Sequence, residues 1–235
     1  MSSKRYRQAA TMVEPKRVYP LEQAVSVLKE MPHAKFDESV ELSASLTIDP
    51  KKTDQVIRGT LTLPHGTGKT RKVLVFCKGE KELLAKQAGA DYVGAAELID
   101  KIQGGWLDFD VAIATPDMMR EVSKLGKILG PRGLMPNPRA GTVADDVAKA
   151  VAEVKRGRIE FKMDKLANLH VVIGRLSFAP QQLTENAQAT LQAIVRSRPA
   201  ALKGKMLRQV SLASTMSPGI FIHIEGLETE TAVAG

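Results

Sequence analysis

From Val40 to Ile48 the chain alternates apolar or small side chains with polar ones, whereas Val73-Leu74-Val75-Phe76 is apolar without a break. Successive side chains of a strand point to opposite faces. The first pattern therefore makes a strand with one covered face, and the second a strand covered on both. The alternating pattern returns at Leu169, Val171 and Ile173 and again at Ile220, Ile222 and Ile224. Asp49-Pro50-Lys51-Lys52 reads as a turn before a further extended segment from Val56 to Leu63. Leu21, Val25 and Leu28 supply one helical stripe, and Leu183, Ala187, Leu191 and Ile194 a longer one behind Pro180, which suits a helix start. These outer parts predict an α+β arrangement with a mainly antiparallel sheet and helices on one side.

The middle follows another order. Val73–Phe76 precedes a helical stretch from Glu80 to Lys86, and Asp91-Tyr92-Val93, Val111-Ala112-Ile113-Ala114 and a helix from Val143 to Val154 continue the strand and helix grammar. Short covered strands between helices predict a three-layer α/β domain. Thr142 is the expected N-cap of the last helix with Asp145 at its third position, which accounts for Asp145-Asp146 without catalysis. The fold class is thus α/β in two domains, with changes of rhythm near Leu63 to Thr70 and Arg156 to Phe161. Periodicity leaves open whether the first and last thirds fold together.

Thirty-four Lys and Arg against 26 Asp and Glu leave a net charge of +8 over 235 residues, which points to an anionic partner, nucleic acid foremost, or to solubility alone. The basic start, Met1 to Gln8, is not followed by the apolar run of a secretory leader, and no apolar stretch approaches the roughly 20 residues of a membrane-spanning helix. The single cysteine, Cys77, excludes an intrachain disulfide, so the cytoplasm is the expected compartment. The segment from Gly130 to Gly141 combines stiff prolines, permissive glycines and the arginines Arg132 and Arg139, a pattern suited to a contact loop.

Catalytic and cofactor motifs fail on spacing. Gly66-Thr67-Gly68-Lys69-Thr70 ends like a phosphate loop, but Leu63 stands where the first glycine belongs, and Pro64 constrains the approach. Lys78-Gly79-Glu80-Lys81 lacks the glycine fingerprint of a dinucleotide site. His33, His65, His170 and His223 are dispersed, Cys77 reads as a packed thiol, and Asp108 and Asp110 flank Phe109 as at a strand edge. No cofactor, metal or catalytic residue is predicted.

Phosphate recognition needs only placed cations, and Lys4, Arg5, Arg7, Lys35 and Arg208 are candidates, although each taken alone reads as a solvated charge. Aromatic residues make up 4% of the chain, too few for a long base-stacking platform. Folded RNA, read through phosphate and ribose, is the better match. Phe36 beside Lys35 suits packing on a ribose or base, or packing of the nearby helix on the sheet.

Several phrases resemble the ribosomal protein L1 family of the bacterial large subunit. They include Ala34-Lys35-Phe36-Asp37-Glu38, Arg58-Gly59-Thr60, Leu63-Pro64-His65-Gly66, Gly89-Ala90-Asp91-Tyr92-Val93 and Gly105-Trp106-Leu107-Asp108-Phe109-Asp110. The longest runs from Lys124 to Pro138, and Ser214-Thr215-Met216 extends the likeness toward the C-terminus. The resemblance implies that residues 1–67 and 160–235 join into an RNA-binding domain and that 68–159 form an inserted Rossmann-like domain without cofactor duty.

It further implies a place on the side stalk of the large ribosomal subunit, bound to 23S rRNA, near exit-site tRNA and other large-subunit components. In some members it implies repression of the protein's own mRNA through a similar hairpin. No membrane partner is implied, and the free protein is expected to be a monomer. The RNA-contact residues expected are Lys35, Phe36, Asp164, Lys165, His170, Arg208, Thr215 and Met216, with Arg132 and Arg139 as secondary loop contacts. Two departures stand out: Ser217 where the family usually has glycine, and Met163 where it usually has asparagine. The rival readings are a protein–protein architectural module and a small-molecule enzyme using the α/β domain.

Overall fold

The chain divides into two compact units, Met1–Gly68 with Ile159–Gly235 and Lys69–Arg158. The structure is a computed structural model that describes residues 3–14, 16–50, 55–199, 202 and 204–223, the side chain of Arg139 excepted. In chain order the first unit opens with α1 (Lys4–Thr11), β1 (Val18–Tyr19), α2 (Leu21–Glu30), β2 (Ser39–Leu46) and β3 (Arg58–Thr62). The second unit contains β4 (Val73–Phe76), α3 (Glu80–Gln87), β5 (Tyr92–Gly94), α4 (Ala96–Gln103), β6 (Val111–Ala114), short α5 (Met119–Val122), α6 (Gly126–Leu129) and α7 (Val147–Lys155). The return passes through β7 (Arg158–Lys162), β8 (Asn168–Arg175), α8 (Pro180–Arg196), β9 (Leu207–Ser214) and β10 (Ile220–Ile222).

In the first unit the five-stranded sheet has the order β1-β10-β9-β2-β8. Only β1 and β10 pair in parallel; the other neighbours are antiparallel. The alternation of β2 is realised residue by residue: Val40, Leu42, Ala44 and Leu46 are buried, and the residues between them are partly open. Leu169, Val171 and Ile173 of β8 and Val210 and Leu212 of β9 join the same core. Val25 and Leu28 of α2 and Leu183, Ala187, Leu191 and Ile194 of α8 close it. Each fully buried Leu or Ile contributes about 1.5–3 kcal/mol relative to exposure. Pro180 occupies the first turn of α8, where its missing N–H costs nothing. The last alternating position read from the sequence, Ile224, lies outside the described residues, as do Lys51 and Lys52 of the expected turn.

Strands β3 and β7 make a separate two-stranded sheet. The ring of Phe161, 1% exposed, lies so close over Gly59 that an added Cβ would stand 2.5 Å from its Cζ. Backbone-to-ring approach of this kind is open only to glycine.

In the second unit β5, β4 and β6 form a parallel sheet in that order. Val73 and Val75 of β4 pack with Ala85, Val147, Val151 and Val154, on the side of α3 and α7. Leu74 and Phe76 pack with Ile99, Ile102, Met118, Val122 and Leu125, on the side of α4 and the short helices. Helices on both faces are the physical reason that β4 is apolar throughout. Cys77 at its end is fully buried, and burial followed by the charge of Glu82 pushes its thiol up, as suits a packed group.

Three readings from the sequence need correction. Helix α7 begins at Val147, and its cap is Asp146, whose carboxylate accepts from Lys149 N at 3.1 Å. Thr142 is not the cap: its hydroxyl accepts from Asn137 N at 2.8 Å and donates to Asn137 O at 3.2 Å. Val143 forms a parallel bridge with Ala114, and this sheet pairing keeps the chain extended where a helix was expected. Asp91 lies outside β5, its carboxylate instead accepting from Val73 N at 2.8 Å. Strand β9, which pairs with both β2 and β10, was not recognised: Arg208 and Gln209 are both exposed and interrupt its alternation.

Candidate nucleic-acid interface

Register decides which candidate residues meet. Val40 pairs with Ser214 and Ser39 with Arg175, so the loop before β2 and the turn after β9 lie at one end of the sheet. Ser45 pairs with both Asn168 and Gln209, which sets the turn before β8 and Arg208 at the other end, about 25 Å away along an eight-residue strand. His170 stands between them, opposite Ser43.

At the first end the organising group is Glu38, a carboxylate 1% exposed. It accepts from Ala34 N at 2.6 Å, from the Ser214 hydroxyl and from Met216 N at 3.0 Å. Burial alone would raise its pKa, but the Ser214, Ala34 and Met216 hydrogen bonds, with the nearby His33, outweigh burial and leave it below the ordinary glutamate value. Asp37 holds the other side of the loop, accepting from Ser177 N at 3.1 Å and Ser177 Oγ at 2.9 Å, while Arg175 donates to its backbone carbonyl at 2.8 Å. Lys35 and Phe36 are consequently presented by a pinned segment, Lys35 exposed and Phe36 55% exposed. Phe36 is thus not a core residue packing helix against sheet. Met216, 50% exposed, belongs to the turn that Glu38 ties to the same loop.

The Thr215 hydroxyl accepts from Ser39 N at 3.1 Å and donates to Ser39 O at 3.3 Å, so it secures the turn from within the protein. Ser217, in place of the usual glycine, is accommodated without strain. Among the described residues only Lys16 and Ala167 are non-glycines with positive φ. Its hydroxyl accepts from Ser214 N at 2.8 Å and closes the turn.

At the second end Asp164 builds a turn: Oδ1 accepts from Leu166 N at 2.8 Å and Asn168 N at 2.7 Å. The Asn168 backbone bond is the main cause that lowers its pKa. Lys165 and Leu166 are left exposed at the tip, Leu166 by 78%. The register slips between Ser45 and Leu46, which pair with Gln209 and Leu207, making Arg208 the extra residue of an exposed bulge. Met163, which stands where the family usually has asparagine, is 5% exposed and packs in the core.

Between the two ends the open face of the sheet is polar. Ser43, Ser45, Asn168, His170, Gln209 and Ser211 line a shallow depression of about 140 Å³ together with Phe221. His170 Nδ1 lies 2.9 Å from Glu41 Oε1 and 3.1 Å from Ser43 Oγ. Because a carboxylate only accepts, an Nδ1–H of His170 donates to Glu41 and engages an acid that would otherwise face phosphate bare. Hydroxyls, amides and cations flanked by exposed Phe36, Met216, Leu166 and Val172 can grip a sugar–phosphate surface through hydrogen bonds and charge, with apolar contacts at the margins.

The remaining candidates are dispersed. Lys4, Arg5 and Arg7 lie on α1, with Lys4 and Arg7 exposed. Arg132 is exposed in the second unit, and the side chain of Arg139 lies outside those described. The Gly66 to Thr70 phrase belongs to a connection pinned by buried Asn186, which accepts from His65 N at 3.1 Å and donates to Gly66 O at 3.0 Å. Asp108 pairs with Lys72 at 2.7 Å, and Asp110 accepts from Lys72 N at 3.0 Å, a structural use of both acids. Among the described residues no group of three or more His, Cys, Asp or Glu could hold a metal, and no helix is long and apolar enough to cross a membrane. Sequence reasoning missed Glu38, Leu166, Val172 and the serine row. The odd positions of the β2 alternation were a signal for Ser43 and Ser45, whereas Glu38 stood in a family phrase with no local sign that it would be buried.

Comparison with known proteins gives a consistent answer. The model of the Ribosomal protein L1p/L10e family matches residues 28–218. A "Large ribosomal subunit protein uL1" of Kosmotoga olearia is 57% identical over 218 residues, covering 93% of this chain and 94% of the relative. Its counterpart of the same name in Protochlamydia amoebophila is 51% identical over 222 residues, covering 94% of each.

Proposed function

Because the chain belongs to the ribosomal protein L1p/L10e family, we propose that it binds the side-stalk hairpin of 23S rRNA through its first unit. Its role is structural rather than enzymatic. The observation that carries this reading is the Glu38 bridge, which holds Phe36 and Met216 exposed at one end of a hydroxyl-rich sheet face. Lys35, Lys165 and Arg208 contact phosphates, and Ser43, Ser45 and Ser211 address ribose hydroxyls, which separates RNA from DNA. Phe36 and Met216 pack against sugars or unstacked bases, and a pinned loop loses little entropy on binding. Residues 1–67 and 160–235 act as the RNA-binding domain, while the inserted 68–159 and its Arg132 and Arg139 loop make secondary contacts.

The wider role follows from the same reading. In the cytoplasm, within the large subunit, the protein assists stalk motion and release of deacylated tRNA from the exit site, and it represses its own mRNA by binding a similar hairpin. Binding is expected to weaken with salt as counterions are released, while the matched hairpin keeps its advantage over random RNA. The test compares Phe36→Ala with the unaltered protein on the side-stalk hairpin and on a scrambled duplex of equal charge, across ionic strengths. The expected result is a selective loss on the hairpin. Equal affinity of the unaltered protein for both RNAs would overturn the proposal.

A further inference from the structure

Residues 116–133 of the second unit carry a surface that the fold does not explain. The segment passes through a 3₁₀ turn at Pro116–Met118, α5, a second 3₁₀ turn at Ser123–Leu125 and α6. Met118, Val122, Leu125 and Leu129 recur at helical spacing, and each is 1% exposed or less. Arg120, Lys124 and Lys127 recur at the same spacing on other positions, and all three are exposed, as is Arg132 beyond them. Two acids share the segment: Asp117 stands at its start, and Glu121 is held by Lys78 at 2.7 Å. None of the four cations comes within salt-bridge distance of an acid among the described residues, although the hydrogen bond and charge of Lys78, and after them the charge of Lys124, hold the Glu121 carboxyl below its ordinary value.

Gly126 supplies an independent observation. Its φ of −55° is ordinary helix, and a Cβ added there would meet nothing within 4 Å. Neither backbone geometry nor packing asks for glycine, which is a less stable choice than alanine in a helix. Bare backbone between Lys124 and Lys127 does, however, let a partner's backbone come close. The segment exposes no large apolar side chain, so it lacks the aromatic or aliphatic anchor on which protein interfaces centre. Phosphate recognition needs no such anchor.

We infer that Arg120, Lys124, Lys127 and Arg132, arranged around Gly126, form a second contact surface for the ribose–phosphate backbone of ribosomal RNA outside the side-stalk hairpin. This rests on the reading of the chain as a ribosomal RNA-binding protein.

The experiment uses the full chain and two probes: the isolated side-stalk hairpin and a full-length large-subunit ribosomal RNA transcript. For Lys124→Gln/Lys127→Gln we expect unchanged hairpin affinity, binding to the transcript weakened about 3- to 10-fold, and a log–log salt slope reduced by about 2. For Gly126→Ala we expect a melting temperature raised by about 1–4 °C together with weaker transcript binding. A stability gain without any binding loss would overturn the assignment, as would equal losses on both probes or a loss confined to transfer RNA or to a polypeptide partner. Phe36→Ala serves as the control for the hairpin reading. If it changes neither probe, that reading fails, while the difference between the stripe variants and the unaltered protein still decides the second surface.

Discussion

The carboxylate of Glu38 accepts a hydrogen bond from the hydroxyl of Ser214, joining residues 176 positions apart in the chain. The same carboxylate takes the backbone N–H groups of Ala34 and Met216, so two segments that bear exposed side chains are held by one buried anion. Glu38→Gln keeps the size but turns a donor toward these donors, and we expect a stability loss of about 1–3 kcal/mol. The pKa of Glu38 is lowered in the fold, so its contribution is present above the ordinary glutamate value of about 4.3 and is lost as pH falls through the lower folded value. Unfolding curves between pH 3 and 7 check this: the variant should have a shallower acid limb. An identical acid limb would remove Glu38 from the account.

Thr215 and Phe36 separate turn geometry from direct contact. The Thr215 hydroxyl is used by Ser39, so Thr215→Ala should cost about 1 kcal/mol of stability as well as hairpin affinity, and Thr215→Ser should restore both. Phe36→Ala and Met216→Ala remove exposed groups, with stability changing by no more than about 0.5 kcal/mol. Thermal unfolding beside hairpin titration distinguishes the two classes.

Asp164 shapes the turn that presents Lys165. Asp164→Ala should speed amide exchange at Leu166 and Asn168, whereas Asp164→Asn, which keeps an acceptor oxygen, should retain most of the protection. Its pKa is lowered by the Asn168 bond, so protection should persist below the ordinary aspartate value of about 3.9 and fall once the carboxylate is protonated. Hydrogen exchange resolved by residue is the measurement, and unchanged exchange in Asp164→Ala would show that the turn holds without it.

Asn186 is fully buried and serves three backbone groups, accepting from His65 N and donating to Gly66 O and to Ile173 O at 2.7 Å. Asn186→Ala leaves those groups unpaired, for an expected loss of about 2–4 kcal/mol. Limited proteolysis should then cut first within residues 63–68. A stable variant with an unaltered cleavage pattern would mean that water replaces the side chain at little cost.

Much of the architecture was legible because strand faces and helix stripes are local patterns. Val40, Leu42, Ala44 and Leu46 face the core as their alternation predicts, and the unbroken run of β4 is covered on both sides. The start of α7 was misread because the bridge from Val143 to Ala114 is a long-range pairing that overrides a local capping pattern. The position of β9 beside β2 was illegible for a related reason: its alternation is interrupted by a bulge that only the partner strand defines.

The sequence by itself determined the two kinds of sheet, the basic character of the chain and, through its phrases, the family. Tertiary structure alone decided that Lys35, Phe36, Thr215 and Met216 meet at one end of the sheet and Asp164, Lys165 and Arg208 at the other. Side-chain periodicity is set by the backbone of a few neighbouring residues, whereas strand register and a buried carboxylate's hydrogen bonds exist only once distant segments have been brought together.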